Sequence, residues 1–219
     1  MIEEIMPAAA ACAESFGSSA GTGLFPEEAA LVERATDKRR QEFAAGRECA
    51  REALAGLDMG KSPILRGYRG APQWPPGIVG SITHCDGYCA AAVARSKDLT
   101  AIGLDAEPNT ALPGGVLEMV SQPAERARLR DLAAAQPEIS WDCLLFCAKE
   151  AVYKAWFPLT GRWLGFADAD ITINAADGTF AARLLVPAPD LGGAQLDGGF
   201  TGRWLSRENL ILTAIAVPT

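Results

Sequence analysis

The chain has 219 residues, 49% hydrophobic and 21% charged, with a mean hydropathy of +0.08, which excludes disorder and is enough for one large core or two small lobes sharing an interface. Its formal net charge of −7 excludes a general nucleic-acid binder. No apolar run approaches the ~18–20 residues that span a bilayer, and the acidic start Met1-Ile2-Glu3-Glu4-Ile5 lacks the basic charge of a secretory signal, so a cytoplasmic protein with no membrane partner is expected.

In chain order, the first ~25 residues are rich in Ala, Ser and Gly and read as an irregular lead-in. From Phe25 to Leu57 the pattern is helical, with Thr36 or Asp37 as a cap and Phe43, Ala50 and Leu54 on the apolar face. This stretch also carries the basic cluster Lys38-Arg39-Arg40, Arg47 and Arg51, a local site for a polyanion on an acidic chain. Residues 64–76 form a loop dense in Gly and Pro, able to present backbone groups to a ligand.

Three short strands are expected at Ile78–Thr83, Tyr88–Ala94 and Ala101–Glu107. Alternation in the third puts Ile102 and Leu104 on one face and Gly103, Asp105 and Glu107 on the other. Pro108 and Pro113 break the chain, helices follow at about 123–135 and 140–156, and strands at 170–173, 179–186, 199–204 and 210–217. Helices then strands, twice over, predicts an α+β protein of two similar lobes.

Six cysteines raise disulfides and zinc. Neither is expected: there is no export signal, and the two Cys-x-x-x-Cys pairs sit in apolar segments without knuckle glycines.

Asp105 and Glu107 point the same way from a strand with apolar flanks. Alone they read rather as exposed acids at a strand end than as a metal site. Glu150 and Lys154, at i and i+4, share one helix face opposite the apolar Leu144, Leu145, Ala148, Val152 and Trp156. That face is either a surface ion pair or a third carboxylate beside a lysine. Three acids suit a hard cation that completes its shell with water and phosphate oxygens, which is how magnesium is bound. His84, the single histidine, ends the Gly80-Ser81-Ile82-Thr83-His84 strand, where it can donate a hydrogen bond to a phosphate.

Gly80-Ser81-Ile82-Thr83-His84, Gly103-Leu104-Asp105-Ala106-Glu107 and Phe146-Cys147-Ala148-Lys149-Glu150-Ala151-Val152-Tyr153-Lys154 resemble, in order and spacing, the three signature motifs of the Sfp-type phosphopantetheinyl transferases. Arg66-Gly67, Gly70-Ala71-Pro72-Gln73-Trp74-Pro75 and Trp156-Phe157-Pro158-Leu159-Thr160 look most like the EntD-like branch found in actinobacteria. The resemblance implies an α+β fold of two pseudo-symmetric α/β lobes with the active site between them. Residues 1–108 would grip the coenzyme A nucleotide and supply the first metal carboxylates. Residues 109–219 would carry the Lys-Glu helix and the carrier-protein side.

It further implies transfer of 4′-phosphopantetheine from coenzyme A to a serine of apo acyl or peptidyl carrier proteins, with release of 3′,5′-ADP. Asp105, Glu107 and Glu150 would hold Mg²⁺, with Mn²⁺ as an alternative, and Ala106 would leave one metal position to water. Lys154 would contact the pyrophosphate, with Lys149 also in the coenzyme site. Thr83 and His84 would line the nucleotide site, His84 on a phosphate. Arg39 and Arg47 would grip the 3′-phosphate, with Arg66 close by. Gly70, Ala71 and Pro72 would pass along the adenine through backbone atoms. Glu150 would take the serine proton, directly or through a metal-bound water, with Lys154 and His84 as the other catalytic residues. A monomer is expected, and carriers of polyketide, nonribosomal peptide or siderophore assembly, or of fatty-acid synthesis, all stay open as acceptors. Carriers of this kind are typically acidic, and Arg126, Arg128 and Arg130 are either a basic contact surface for them or a solvated helix face.

Overall fold

A computed structural model describes residues 1–17, 23–187 and 198–219. The first surprise lies at the N-terminus, where no regular structure was expected: a 3-10 turn, Ile2–Ile5, is followed by strand β1, Ala10–Phe16. Its small residues have weak strand propensity of their own. Pairing with β3 decides the conformation, in antiparallel register from Ala10 opposite Ala94 to Phe16 opposite Tyr88. The end is fastened by Glu14, which accepts from the Met1 amino group at 2.5 Å and from the Tyr88 hydroxyl at 2.7 Å.

The helical pattern expected from residue 25 to 57 is also interrupted. A short helix α1, Pro26–Ala30, precedes α2, Asp37–Ala55. Thr36 does cap α2, its hydroxyl accepting from the Arg39 N–H. The break is held by the buried carboxylate of Glu28, which accepts two bonds from Arg51 at 2.9 Å and one from the Ile64 N–H at 2.8 Å. Arg51 is thereby removed from the basic cluster.

Strands β2 (Ile78–Cys85), β3 (Tyr88–Arg95) and β4 (Leu99–Pro108) follow, then α3 (Val116–Val120), α4 (Pro123–Ala135) and α5 (Trp141–Thr160). The chain ends with β5 (Ala169–Asn174), β6 (Thr179–Leu184), β7 (Gly199–Arg207) and β8 (Leu210–Pro218). The result is a mixed α/β fold with two antiparallel sheets, of order β1-β3-β2 and β4-β8-β7-β6-β5. Helix α2 packs on the first through Cys49, Ala50, Ala53 and Leu54, against Cys89, Ala91 and Val93. Helix α5 packs on the second through Leu144, Ala148, Ala151 and Val152, against Phe180, Ile211 and Ile215. The remaining faces meet each other, with Ala90, Ala92 and Ala94 of β3 in one cluster with Ile102, Leu104, Leu212 and Ala214. All six cysteines are free thiols.

The two sheets join at an unusual seam. One edge of β4 is laddered to β8. The opposite edge is satisfied by side chains of β2: the Leu104 N–H donates to Ser81 Oγ at 3.1 Å and the Ala106 N–H to Thr83 Oγ1 at 3.0 Å. Those hydroxyls replace a strand partner for these two buried N–H groups.

Candidate active site

Asp105 leaves β4 toward α5, on the face the alternation predicts. Its Oδ1 accepts from Lys154 Nζ at 2.7 Å and from Thr83 Oγ1 at 3.2 Å. The carboxylate is buried, and its Oδ2 has no hydrogen-bond partner among the described residues. Leaving a buried charged acceptor unpaired is costly, so this oxygen marks a place for a cation or a donor from outside the chain.

Two more acids crowd the same region. Glu107 is pushed up to about 7 by burial and then by the Asp105 charge, with Lys154 opposing and Glu150 adding to the rise. Glu150, one turn before Lys154 on α5, is also raised by burial and by Asp105. Burial would lower Lys154, but the Asp105 charge and hydrogen bond outweigh it, so its ammonium is held in the charged form. One lysine faces three carboxylates, a local excess of negative charge.

Among the described residues, no group of three His, Cys, Asp or Glu side chains forms a ready-made metal cage. Magnesium does not need one, since it takes one or two carboxylates and fills its octahedron with water and phosphate oxygens. The all-oxygen donor set with one unpartnered oxygen fits such a hard ion and does not fit zinc.

Beside these acids opens a cleft of about 380 Å³ between α2, the 66–72 loop, β2 and α5. Its α2 side is strongly cationic. Arg47 lies over the Phe43 ring at 4.2 Å and donates through Nε to the Ile64 carbonyl at 2.7 Å. Arg66 covers the same ring at 4.9 Å. Burial pushes Arg47 down to about 10, Glu28 partly offsets this, and Arg66, Arg51 and Arg39 add repulsion. Arg66 is lowered by burial and by Arg39. Arginines held close enough to repel one another are pre-arranged for a multiply charged anion.

Arg39 Nη1 lies 2.6 Å from His84 Nε2 and 3.2 Å from Glu42 Oε2. A guanidinium only donates, so His84 Nε2 accepts and the ring keeps its proton on Nδ1. Burial, then Arg39, lowers the His84 pKa, consistent with a neutral ring.

The structure therefore brings Arg39, Arg47, Arg66 and His84 to one cleft with Glu150 and Lys154, and the loop of Gly70, Ala71 and Pro72 forms part of its wall. Thr83 lies behind the wall, buried, its hydroxyl bridging Asp105 and the β4 backbone. It orients the carboxylate and lines no part of the cleft.

Lys149 is a correction. Its side chain points away from Glu150 into the core, where Nζ donates to Glu125 at 2.9 Å and to the Phe166 and Ala169 carbonyls at 2.7 and 2.9 Å. All three ammonium donors are engaged, and none remains for a ligand. The basic cluster thins in the same way: Lys38 pairs with Asp86 and Arg40 with Asp37. Arg126 donates to Ser121, and Arg128 is paired with Asp170.

Sequence reasoning missed Phe43, Arg69, Tyr153 and Phe157 on the cleft wall. Tyr153 and Phe157 are three and seven residues beyond Glu150, a helical spacing that was available as a signal. Arg69 carried none, because its position depends on a left-handed backbone, φ 55°.

Comparison with known proteins gives the family. Residues 27–94 match the 4′-phosphopantetheinyl transferase N-terminal domain, and residues 101–208 match the 4′-phosphopantetheinyl transferase superfamily. The chain is 58% identical over 194 residues to 4′-phosphopantetheinyl transferase Svp of Streptomyces mobaraensis, covering 89% of this chain and 78% of that one. It is 49% identical to the transferase Npt of Nocardia iowensis, over 99% of both chains. With the transferase PptT of Mycobacterium tuberculosis it shares 46% identity, over 99% of this chain and 98% of that one. The chain belongs to the 4′-phosphopantetheinyl transferase superfamily and is a transferase. No helix among the described residues is long and apolar enough to cross a membrane.

Proposed function

We propose that the chain transfers the 4′-phosphopantetheine arm of coenzyme A to a serine of apo acyl or peptidyl carrier proteins and releases 3′,5′-ADP, with Mg²⁺ required and Mn²⁺ able to replace it. The observation that carries this reading is the unpartnered Asp105 Oδ2 beside Lys154, at the edge of an arginine-lined cleft. A cation site next to a polyanion site suits a diphosphate that also bears a third phosphate.

In this reading Arg39 and Arg47 grip the 3′-phosphate, with Arg66 close to them, and the Gly70-Ala71-Pro72 backbone runs along the adenine. His84 donates to a phosphate through Nδ1–H. Lys154 offsets charge on the diphosphate while Asp105, itself held by the Thr83 hydroxyl, keeps its ammonium in position. Asp105, Glu107 and Glu150 would hold the metal ion, which when bound stabilises charge on the phosphate oxygens.

The serine Oγ forms a bond to the β-phosphorus of the coenzyme. The bond from that phosphorus to the bridging oxygen breaks, and 3′,5′-ADP leaves with the electron pair. The serine proton goes to the Glu150 carboxylate, whose raised pKa makes it a better base near neutral pH than an exposed glutamate.

Residues 1–108 then form the nucleotide lobe and residues 109–219 the lobe with α5 and the carrier side. The two are joined through β4, which is hydrogen-bonded to β8. The enzyme would act as a monomer in the cytoplasm, on carriers of polyketide, nonribosomal peptide or siderophore assembly. Incubation with apo carrier, coenzyme A and Mg²⁺ tests this by mass spectrometry: the carrier should gain one phosphopantetheine. No gain across carriers of all these classes overturns the reading.

A further inference from the structure

A carboxylate stands on the wall of the arginine-lined cleft, where its charge opposes the anion that the arginines attract. Glu42 lies one turn after Arg39 on α2 and lines the cleft with it. Three polar atoms meet there in a triangle. Glu42 Oε2 is 3.2 Å from Arg39 Nη1 and 3.3 Å from His84 Nε2, and Arg39 Nη1 is 2.6 Å from that same nitrogen.

A ring nitrogen holds either a lone pair or a proton, so Nε2 cannot accept from Arg39 and donate to Glu42 at once. With Nε2 accepting, the Glu42 oxygen and the ring nitrogen face each other as two acceptors with no proton between them. The Arg39 guanidinium, close to both, holds them together. A phosphate that draws this guanidinium away leaves the two acceptors 3.3 Å apart and uncompensated. A proton taken from solvent onto Nε2 restores a hydrogen bond.

The charges around the ring allow that proton. Burial and then Arg39 keep the free ring neutral, with Lys154 acting in the same direction and Glu42 against it. From α2, Lys38 pairs with Asp86 at 3.4 Å, and from α5, Lys154 is held by Asp105. Cys85 and Asp86 follow His84 along the chain, and Cys89 is its register partner on β3. Glu150 faces the same cleft from α5, with Arg47 on α2 and Arg66 on the loop. Moving Arg39 onto a phosphate takes away the nearest positive charge and brings a negative one, and both changes favour the protonated ring.

We infer that Glu42 is a positioning residue for the coenzyme: once Arg39 turns to the 3′-phosphate, Glu42 accepts from His84 Nε2–H, and the ring binds phosphate through Nδ1–H as an imidazolium. This inference rests on the transferase reading above, in which Arg39 meets the 3′-phosphate. It couples coenzyme binding to uptake of one proton and gives the carboxylate a purpose in a polyanion site. Glu42 holds Arg39 and His84 in place when the cleft is free and becomes the counter-ion of His84 when it is filled.

His84 is the single histidine of the chain, so heteronuclear NMR of histidine-labelled protein reads this ring alone. Its titration is followed in the presence of Mg²⁺, first in free wild type, then with coenzyme A and with the analogue lacking the 3′-phosphate. The free ring should be neutral and protonated on Nδ1 near about pH 7. Coenzyme A should move its midpoint up by about one pH unit or more, with both nitrogens protonated. Glu42→Gln, whose amide donates to an unprotonated Nε2, should hold that rise to less than about half. The analogue should leave the wild-type midpoint near that of the free protein, a comparison that needs no variant to fold. The inference is overturned if coenzyme A leaves the wild-type midpoint in place, or if the rise is as large in Glu42→Gln or with the analogue. Absence of phosphopantetheine transfer by wild type removes the underlying reading and this inference with it, whereas active wild type with an unmoved His84 midpoint removes the inference alone.

Discussion

Gly103 and Ala151 approach so closely that a Cβ on Gly103 would lie 2.0 Å from the Ala151 carbonyl oxygen. That contact sets the spacing of β4 and α5, and the site hangs from both. Asp105 is two residues after the glycine, and Glu150 directly precedes the alanine. Backbone oxygen cannot move aside as a flexible side chain can, so any Cβ pushes the helix off the strand. Gly103→Ala should cost about 1–3 kcal/mol by overpacking and reduce transfer well beyond what the stability loss explains. Thermal melts and kcat measured below the new midpoint check this; unchanged kcat would mean the helix spacing does not position the carboxylates.

Asp105 is the hub of the acid cluster, because Lys154 and Thr83 both donate to it. Asp105→Asn keeps the volume and removes the charge that holds the Lys154 ammonium. Transfer should fall by about a hundredfold or more, and Glu150→Gln should do the same by removing the base. Coenzyme A binding by calorimetry should survive in Glu150→Gln, since the arginines that hold the nucleotide are on α2 and the following loop. Loss of binding there would reassign Glu150 from proton transfer to donor recognition.

Of the arginines, Arg39 gives the cleaner test of the polyanion site. Arg47 is buried and supports the Ile64 carbonyl, so its removal mixes stability with binding. Arg39 is more exposed, and among the described residues its guanidinium bonds only to Glu42 and His84. Arg39→Ala should raise the KM for coenzyme A by about tenfold with little change in kcat, and the effect should shrink for a coenzyme lacking the 3′-phosphate. An equal loss with both donors would place Arg39 elsewhere on the nucleotide.

Much of this site is written in local spacing. The Asp-x-Glu pair on a strand and the Glu-x-x-x-Lys pair on a helix each fix a shared face, and the sheet delivers those faces to one another as alternation predicts. Neighbours far apart in sequence were not legible. Strand β1 forms because β3 offers it a ladder, and its own Ala, Ser and Cys residues signal no strand. Lys149 and Glu150 are adjacent in the motif, yet 3.6-residue periodicity turns one into the core and the other toward the cleft. Arg51 looks like part of a basic cluster until Glu28, 23 residues earlier, is found against it.

The raised pKa of Glu107 has a measurable consequence. With its folded-state value near 7 against 4.5 for the ordinary carboxyl, the folded protein retains a proton between those limits that the unfolded chain has lost. Stability falls with rising pH wherever the native state binds more protons. Metal-free protein should therefore lose stability from about pH 5 to 7, and Glu107→Gln should flatten that slope. Added Mg²⁺ should raise the melting temperature more at pH 8 than at pH 5.5. A Glu107→Gln profile parallel to wild type in EDTA would show that another group carries the slope.

Lys149 supplies the opposite kind of test. Its ammonium and the Glu125 carboxylate are both buried, and the carboxylate also accepts from the Gln122 and Ile171 N–H groups at 2.7 and 2.8 Å. The pair ties α4, α5 and β5 together from within. Lys149→Met leaves Glu125 buried without its counter-ion, which should cost about 3–5 kcal/mol and lower the melting temperature by roughly 10 °C for a chain of this size. Lys149→Met with Glu125→Gln should recover part of that loss, since an amide is far less expensive to bury than an unpaired carboxylate. Below the lowered midpoint, the KM for coenzyme A should match wild type, because Nζ is saturated by Glu125, Phe166 and Ala169 and does not reach the cleft. A rise of about tenfold in that KM, at a temperature where the variant is fully folded, would return Lys149 to the coenzyme site.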